Sequence, residues 1–168
     1  LSIGGATGDP NDLTSLAIDR AVSLGVVAVV AAGNSGNSPS TINTPGSARN
    51  AITVGAHYKD GQLAYFSSRG PVVFEQNKRQ YNLAKPDIAA PGVYICAAAS
   101  SGASPLGPTC LDSTHTSISG TSMATPHVAG VAALLKQAHP DWSAFEIKSA
   151  IKRGASRTTV KGNPRIND

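Results

Sequence analysis

The sequence predicts an α/β domain with a mostly parallel sheet flanked by helices, and three observations carry that prediction. Val26 to Ala32 is an unbroken apolar run of strand length, the pattern of a parallel strand buried on both faces. Just ahead of it, residues 12 to 24 repeat apolar side chains at helical spacing. From Thr121 to Gln137 the chain is rich in Ala, Val and Leu and almost free of charge, so a helix there is apolar all round and belongs in a core.

Taken in order, Leu1-Ser2-Ile3-Gly4-Gly5 reads as an apolar, strand-like opening. A turn at Asp9 to Asp12 leads into the first helix, whose Leu13, Leu16, Ala17, Ala21 and Leu24 form the covering face and whose stop is Gly25. With Val26 to Ala32 following, this is a strand, helix, strand unit of the kind that joins parallel strands. Residues 51 to 56 and 93 to 98 read as further strands, and 116 to 119 as a short extended lead into the central helix. A last helix at 143 to 154 is amphipathic through Phe145, Ile147, Ala150 and Ile151. Loops at 33 to 47 and 100 to 115 are rich in Gly, Ser, Pro and Asn, and the polar stretch 72 to 86 reads as a surface insertion. No repeat or linker divides residues 1 to 168, which read as one domain.

A chain of 168 residues, 40% hydrophobic and 14% charged, is long enough for a core and is not a disordered tail. Its net charge of +4 is spread out, with a local cluster only in Lys148, Lys152, Arg153, Arg157, Lys161 and Arg165. Stacking aromatics and recognition motifs for nucleic acid are lacking, and no apolar run reaches the length of a membrane helix. Neither nucleic acid nor membrane is therefore an expected partner. Cys96 and Cys110 are separated by thirteen residues rich in Ser, Gly, Pro and Ala. A disulfide there would staple a flexible loop and fit an oxidising, secreted or extracellular setting; two unrelated thiols are the alternative.

The chemistry centres on Ser122, at the mouth of the central helix. Thr121 and Ser122 are cap-type residues, Pro126 suits an opening turn, and free amides at such an end favour developing negative charge. A serine so placed can attack a carbonyl while its own amide faces the oxygen that becomes negative. Taken alone, G-T-S reads as a helix cap. Two other serine motifs fit less well. Gly33-Asn34-Ser35-Gly36 has Asn where a chymotrypsin-like G-D-S-G has Asp, and Gly120 to Ala124 lacks the second glycine of a G-x-S-x-G elbow.

The eleven residues Gly120 to Gly130, G-T-S-M-A-T-P-H-V-A-G, resemble the nucleophile motif of the subtilisin-like serine proteases. Further landmarks resemble that family in the same order: Leu1 to Gly5, Val29 to Gly36, Thr44-Pro45-Gly46, Ile52 to Ala56, Phe66 to Pro71 and Asp87 to Gly92. The resemblance covers nearly the whole chain. It implies a serine endopeptidase acting through an acyl-enzyme on Ser122, with the Asn34 side-chain amide as the second oxyanion donor. Asn34 also follows a buried strand, where ligands of open parallel sheets bind. The resemblance makes Ser2, Ile3 and Gly4 the edge on which a polypeptide substrate lies as an added strand. Ala31 and Gly33 would wall the pocket for the residue before the scissile bond, with Asn43 to Pro45 towards its base; such small walls leave room for a large apolar side chain.

The family's base and orienting acid lie in H-G-T and D-[ST]-G contexts, and none of His57, His115, His127 or His139 has the first. Asp87 belongs to a different landmark and reads as structural. Because family order is Asp, His, Ser, the expectation is that both missing groups precede Leu1. The chain then reads as the C-terminal part of one subtilisin-like catalytic domain, incomplete and inactive alone, whose partner is the N-terminal part of that domain. The stretch from Gly162 to Asp168 resembles the approach to a final strand and helix, so the C-terminus reads as clipped as well. An inhibitory propeptide is a further possible partner. No cofactor is required for the chemistry and no metal residues are assigned; family members often bind structural calcium, for which this chain offers no clear loop. The alternative is a catalytically incompetent peptide-binding or assembly module that retains the cleft.

Overall fold

The structure, a computed structural model, describes residues 1–5, 8–100 and 106–156. Its first helix, α1 (Leu13–Ser23), starts at Asp12, whose carboxylate accepts the amides of Thr14 and Ser15. Those donors have no intrahelical acceptor, so the cap satisfies them. At the other end the amide of Gly25 returns to Val22 and that of Val26 to Ala21, a Schellman closure that Gly25 permits at φ +97°.

The buried face of α1 is Ser15, Ile18 and Val22, which corrects the face of Leu13, Leu16, Ala17, Ala21 and Leu24 read from the sequence. Both stripes have helical spacing; the one that faces β1 packs Ile18 and Val22 with Val30. Ser15 is fully buried with its hydroxyl 3.1 Å from that of Ser47, so it takes a core position while Leu13 (87% exposed) and Leu24 (69%) turn outward.

Among the described residues the strands are β1 (Val29–Ala31), β2 (Ile52–His57), β3 (Val72–Gln76), β4 (Arg79–Leu83), β5 (Ile88–Pro91), β6 (Ile95–Ala98) and β7 (His115–Ile118). A parallel sheet runs in the order β1-β2-β5, as the unbroken apolar run predicts. The pairing of β1 reaches only from Ala28 to Ala32, and Val26 is outside it. Of the strand-like opening, Leu1 alone pairs with the sheet: its amine donates to Val29 at 2.5 Å and its carbonyl accepts from Ala31 at 3.0 Å, on the outer side of β1. The strand β5 is absent from the sequence reading, since it is only four residues long, follows Pro86 closely and ends on Pro91.

The expected strand at 93 to 98 is β6, and it pairs antiparallel with β7 outside the parallel sheet. The 72 to 86 insertion is a hairpin, β3–β4, with Phe74 stacked on Tyr81 across it at 5.6 Å. Its turn residues Asn77 and Lys78 have φ of 52° and 59°, the backbone of a two-residue hairpin loop. Cys96 and Cys110 are joined in a disulfide with a Cα separation of 5.8 Å, which decides between the two readings of that pair.

Helix α2 (Thr121–Ala138) crosses one face of the sheet, where Ala124, Val128 and Ala132 pack with Val29, Ile52, Val54 and Ala90. On the opposite face Ile18 and Val22 of α1 pack with Val30. The burial of α2 is one-sided, unlike the all-round burial its composition predicts: Val131 is 47% exposed and Leu134 65%. Helix α3 (Ala144–Gly154) opens on a reciprocal capping box between Ser143 and Glu146 and buries Ala144, Ile147 and Ile151. Phe145, read as part of its apolar face, points outward.

Asp87 has the structural role expected of it. Its carboxylate lies 2.7 Å from the Lys85 ammonium and 3.2 Å from those of Lys148 and Lys152, and it accepts the Thr53 amide at 3.0 Å. Lys85 also donates to the Ala51 carbonyl at 2.9 Å. Burying these charges is tolerable because each is paired and hydrogen-bonded. The further basic residues Arg157, Lys161 and Arg165, with the 162 to 168 stretch, lie outside the described residues.

Candidate active site

The first amides of α2 have no intrahelical acceptors, and one of them finds its partner in the loop after β1. The Oδ1 of Asn34 accepts from the Thr121 amide at 2.9 Å and from the Thr121 hydroxyl at 3.0 Å. The same hydroxyl accepts from the Gly33 amide at 3.3 Å, so its donor and acceptor functions are both used. The helix is thus capped in trans by Asn34 rather than by the cap-type residues at its start, and the residue in the cap position is Gly120.

With its carbonyl oxygen held by Thr121, the Asn34 amide turns its NH2 group towards Gly120. The point where a Cβ on Gly120 would sit lies 3.5 Å from Asn34 Nδ2 and 3.6 Å from Ser122 N. Two N–H donors therefore flank one small space that glycine leaves open. Both sit at the positive end of a helix, where negative charge is favoured. That is the arrangement an oxyanion hole needs: fixed, uncharged donors that require no reorganisation when charge develops.

Ser122 occupies the second position of α2. Its Oγ lies 3.5 Å from the Ser2 carbonyl, and its own carbonyl accepts the Ser2 hydroxyl at 3.1 Å. This second bond follows from Pro126, which sits at the sixth helical position rather than in the opening turn and has no N–H for the Ser122 carbonyl.

Ser2, Asn34 and Ser122, with Gly33 through Thr121, are thus drawn together from distant parts of the sequence. Ala31 and Gly33 are buried beside them at the end of β1, and Gly4 faces Asn43. Ile3 is 59% exposed on the edge segment. Gly33 has φ +110°, and a Cβ on it would come 1.9 Å from Asn43 Oδ1, so no other residue fits there.

The four histidines are engaged elsewhere. His57 bonds the Tyr58 carbonyl at 2.6 Å, His115 meets Asp112 at 2.7 Å, His127 bonds the Met123 carbonyl at 2.8 Å, and His139 stacks on Trp142 at 3.7 Å. Sequence reasoning did not identify Thr121 as the residue that orients Asn34, nor Gly120 as the open floor between the donors. The adjacency G-T-S carries both, but only the fold brings Asn34 opposite. Among the described residues no group of three or more His, Cys, Asp or Glu is placed to hold a metal ion, and no helix is long and apolar enough to cross a membrane.

The model of the subtilase family matches residues 1–167. The serine protease AprX of Bacillus subtilis is 41% identical over an alignment of 156 positions that covers 84% of this chain and 33% of that protein. Subtilisin BL of Lederbergia lenta is 37% identical over an alignment of 170 positions that covers 99% of this chain and 53% of that protein. Among solved structures, a cold-adapted subtilisin-like serine proteinase superposes with a TM-score of 0.71 at 30% identity, covering 96% of this chain and 50% of that one. The chain thus spans a third to about half the length of these relatives.

Proposed function

The chain belongs to the subtilase family, and from that premise we propose that it carries the nucleophile half of a serine endopeptidase active site. The single observation behind this reading is the convergence of Asn34 Nδ2 and Ser122 N on the open space at Gly120. Ser122 Oγ attacks the carbonyl carbon of a peptide bond, and its proton passes to a histidine base. The carbonyl oxygen becomes an oxyanion between the two donors. As the C–N bond breaks, the histidine returns the proton to the leaving amine, and an acyl-enzyme remains on Ser122 until water hydrolyses it. The substrate lies as an added strand along Ser2, Ile3 and Gly4, held by main-chain hydrogen bonds. These steps use side-chain and backbone groups alone and need no cofactor; any calcium would be structural.

The base and its orienting aspartate come, in this proposal, from the N-terminal part of the same catalytic domain. Three features near one edge of the sheet support such a partner. Among the described residues only Leu1 pairs with the outer side of β1. On one face α1 presents Leu13, Leu16 and Leu24 outward, and on the other α2 presents Val131 and Leu134. A segment adding strands at β1 and a helix on each face would cover all three. The surface disulfide Cys96–Cys110 supports a secreted protein, and an inhibitory propeptide could occupy the same cleft.

A fluorophosphonate probe tests the reading. It should label Ser122 when the upstream segment is present and leave the chain alone unlabelled. Labelling of the isolated chain would show that it contains its own base. A protein with the upstream segment that binds peptides but never labels would instead be a peptide-binding or assembly module.

A further inference from the structure

We infer that Asn43 closes the floor of the substrate pocket between Gly4 and Gly33, so that this site accepts a small residue, alanine or serine, before the scissile bond rather than a large apolar one. The inference rests on the protease reading above and specifies its substrate class. Ala31 and Gly33 do keep the wall thin, but the space they leave is occupied. A Cβ placed on Gly33 would lie 1.9 Å from Asn43 Oδ1, so that oxygen sits directly against the Gly33 backbone. On the other side, a Cβ placed on Gly4 would lie 3.7 Å from Asn43 Cβ. The Asn43 side chain therefore bridges the two backbone walls between which a substrate side chain would enter.

It is also fixed there. Asn43 is 8% exposed, and its amide donates to the Ala32 carbonyl at 2.9 Å, which ties the loop to the end of β1. Its Oδ1 accepts the Ser35 hydroxyl at 2.9 Å and the Ser68 hydroxyl at 3.5 Å. Ser68, fully buried, accepts the Ser35 amide at 3.1 Å. Swinging the Asn43 side chain aside for a phenyl or isobutyl group would strip both hydroxyls of their common acceptor and bury an apolar group against them. A methyl or hydroxymethyl group needs no such movement.

The test is a series of peptides differing only in the residue before the scissile bond, assayed with the protein carrying its upstream segment. Alanine and serine substrates should exceed phenylalanine in kcat/KM by at least about tenfold, the lower end of what a pocket discriminates by size. Asn43→Gly should raise the phenylalanine-to-alanine ratio by about tenfold or more, and Asn43→Ser by less, in keeping with the volume each removes. A wild-type preference for phenylalanine or leucine overturns the inference without needing a variant, as does an unchanged ratio in Asn43→Gly. A fluorophosphonate with no side chain at this position separates the two claims. Labelled protein with an aromatic preference defeats the pocket assignment alone, whereas absence of labelling defeats the protease reading and the pocket with it.

Discussion

The Ser2 hydroxyl donates to the Ser122 carbonyl at 3.1 Å, the carbonyl that Pro126 leaves without a helical donor. A proline inside the helix thus creates the acceptor by which Ser2, on the proposed substrate edge, is pinned to Ser122, the proposed nucleophile. Ser2→Ala should lower kcat/KM by about 3- to 10-fold, the size of one net hydrogen bond, with little change in unfolding midpoint. Ser2→Thr keeps the hydroxyl and should recover most of the loss. A Ser2→Ala protein with unaltered kinetics would mean that the edge segment is positioned by other contacts.

Thr121 is a positioning residue for Asn34, and a double-mutant cycle can isolate that role. Removing an oxyanion donor from a subtilisin is known to cost about 10²–10³ in kcat, and Asn34→Ala should fall in that range. Thr121→Val removes one of the two bonds to Asn34 Oδ1 and should cost about tenfold, with Thr121→Ser restoring activity. The double variant should be no slower than Asn34→Ala alone, because Thr121 acts only through the amide. Additive losses would assign Thr121 some separate function.

Gly120 is required by what must fit beside it rather than by its backbone. An added methyl would make ordinary contacts with Asn34 Nδ2 at 3.5 Å and with Met123 Sδ and Ser122 N at 3.6 Å and so leave the fold intact, but it would stand where the proposed oxyanion forms. Gly120→Ala should therefore unfold at the wild-type midpoint and react with the fluorophosphonate at least about 10²-fold more slowly, as expected for a hole deprived of its donors. Normal labelling would place the oxyanion elsewhere.

Burial lowers the Lys85 ammonium to about 8 even with Asp87 beside it, while Asp87 is held below the usual carboxylate range despite its burial, chiefly by Lys85 and then Lys148. For Lys85 the folded state releases its proton before the unfolded state does. Its contribution to stability therefore rises between about pH 8 and the ordinary lysine value and is flat below that window. Asp87 works in the opposite direction, its stabilisation being lost as pH falls through its lowered value. Urea unfolding of the protein with its upstream segment should show a Lys85-dependent gain on the order of 2–3 kcal/mol between pH 7.5 and 10.5 that Lys85→Met removes. If both proteins follow the same curve, Lys85 titrates normally.

Much of this architecture was legible in the residues because one physical cause dominated each segment. Val29 to Ala31 is apolar and Ile52 to His57 largely so, and both are buried throughout, so their strand character needs no tertiary information. Ser122 and Asn34 were marked by motif, and the fold brings both to one helix end. The errors arose where two causes competed. In α1 the leucine stripe outscores Ser15, Ile18 and Val22 in hydrophobicity, yet it is Ile18 and Val22 that pack on Val30, with Ser15 against Ser47, while the leucines face away from this chain's sheet. In α2 composition says buried, but only one side meets this chain's sheet. For the proposed pocket the motif places Ala31 and Gly33 at the wall and Asn43 to Pro45 towards the base, but how far the Asn43 side chain reaches between Gly4 and Gly33 depends on the fold of its loop, tied to the Ala32 carbonyl.

The outward apolar faces of α1 and α2 yield the last prediction. Val29 and Val30 point to opposite sides of β1, the first packed with α2 and the second with α1, so both helices flank the same edge strand. Leu13, Leu16 and Leu24 on one side and Val131 and Leu134 on the other are exposed on helices at opposite faces of the sheet and so do not cover each other. Residues 1–168 alone should therefore bind an apolar dye and sediment as oligomers, and supplying the upstream segment should abolish both. In the protein with that segment, Leu134→Ser should cost about 2 kcal/mol, the value of a buried leucine, whereas it should be nearly neutral in the chain alone. A chain that is monomeric and silent to the dye by itself would mean that these faces are content in water, and the proposed N-terminal partner would lose its structural support.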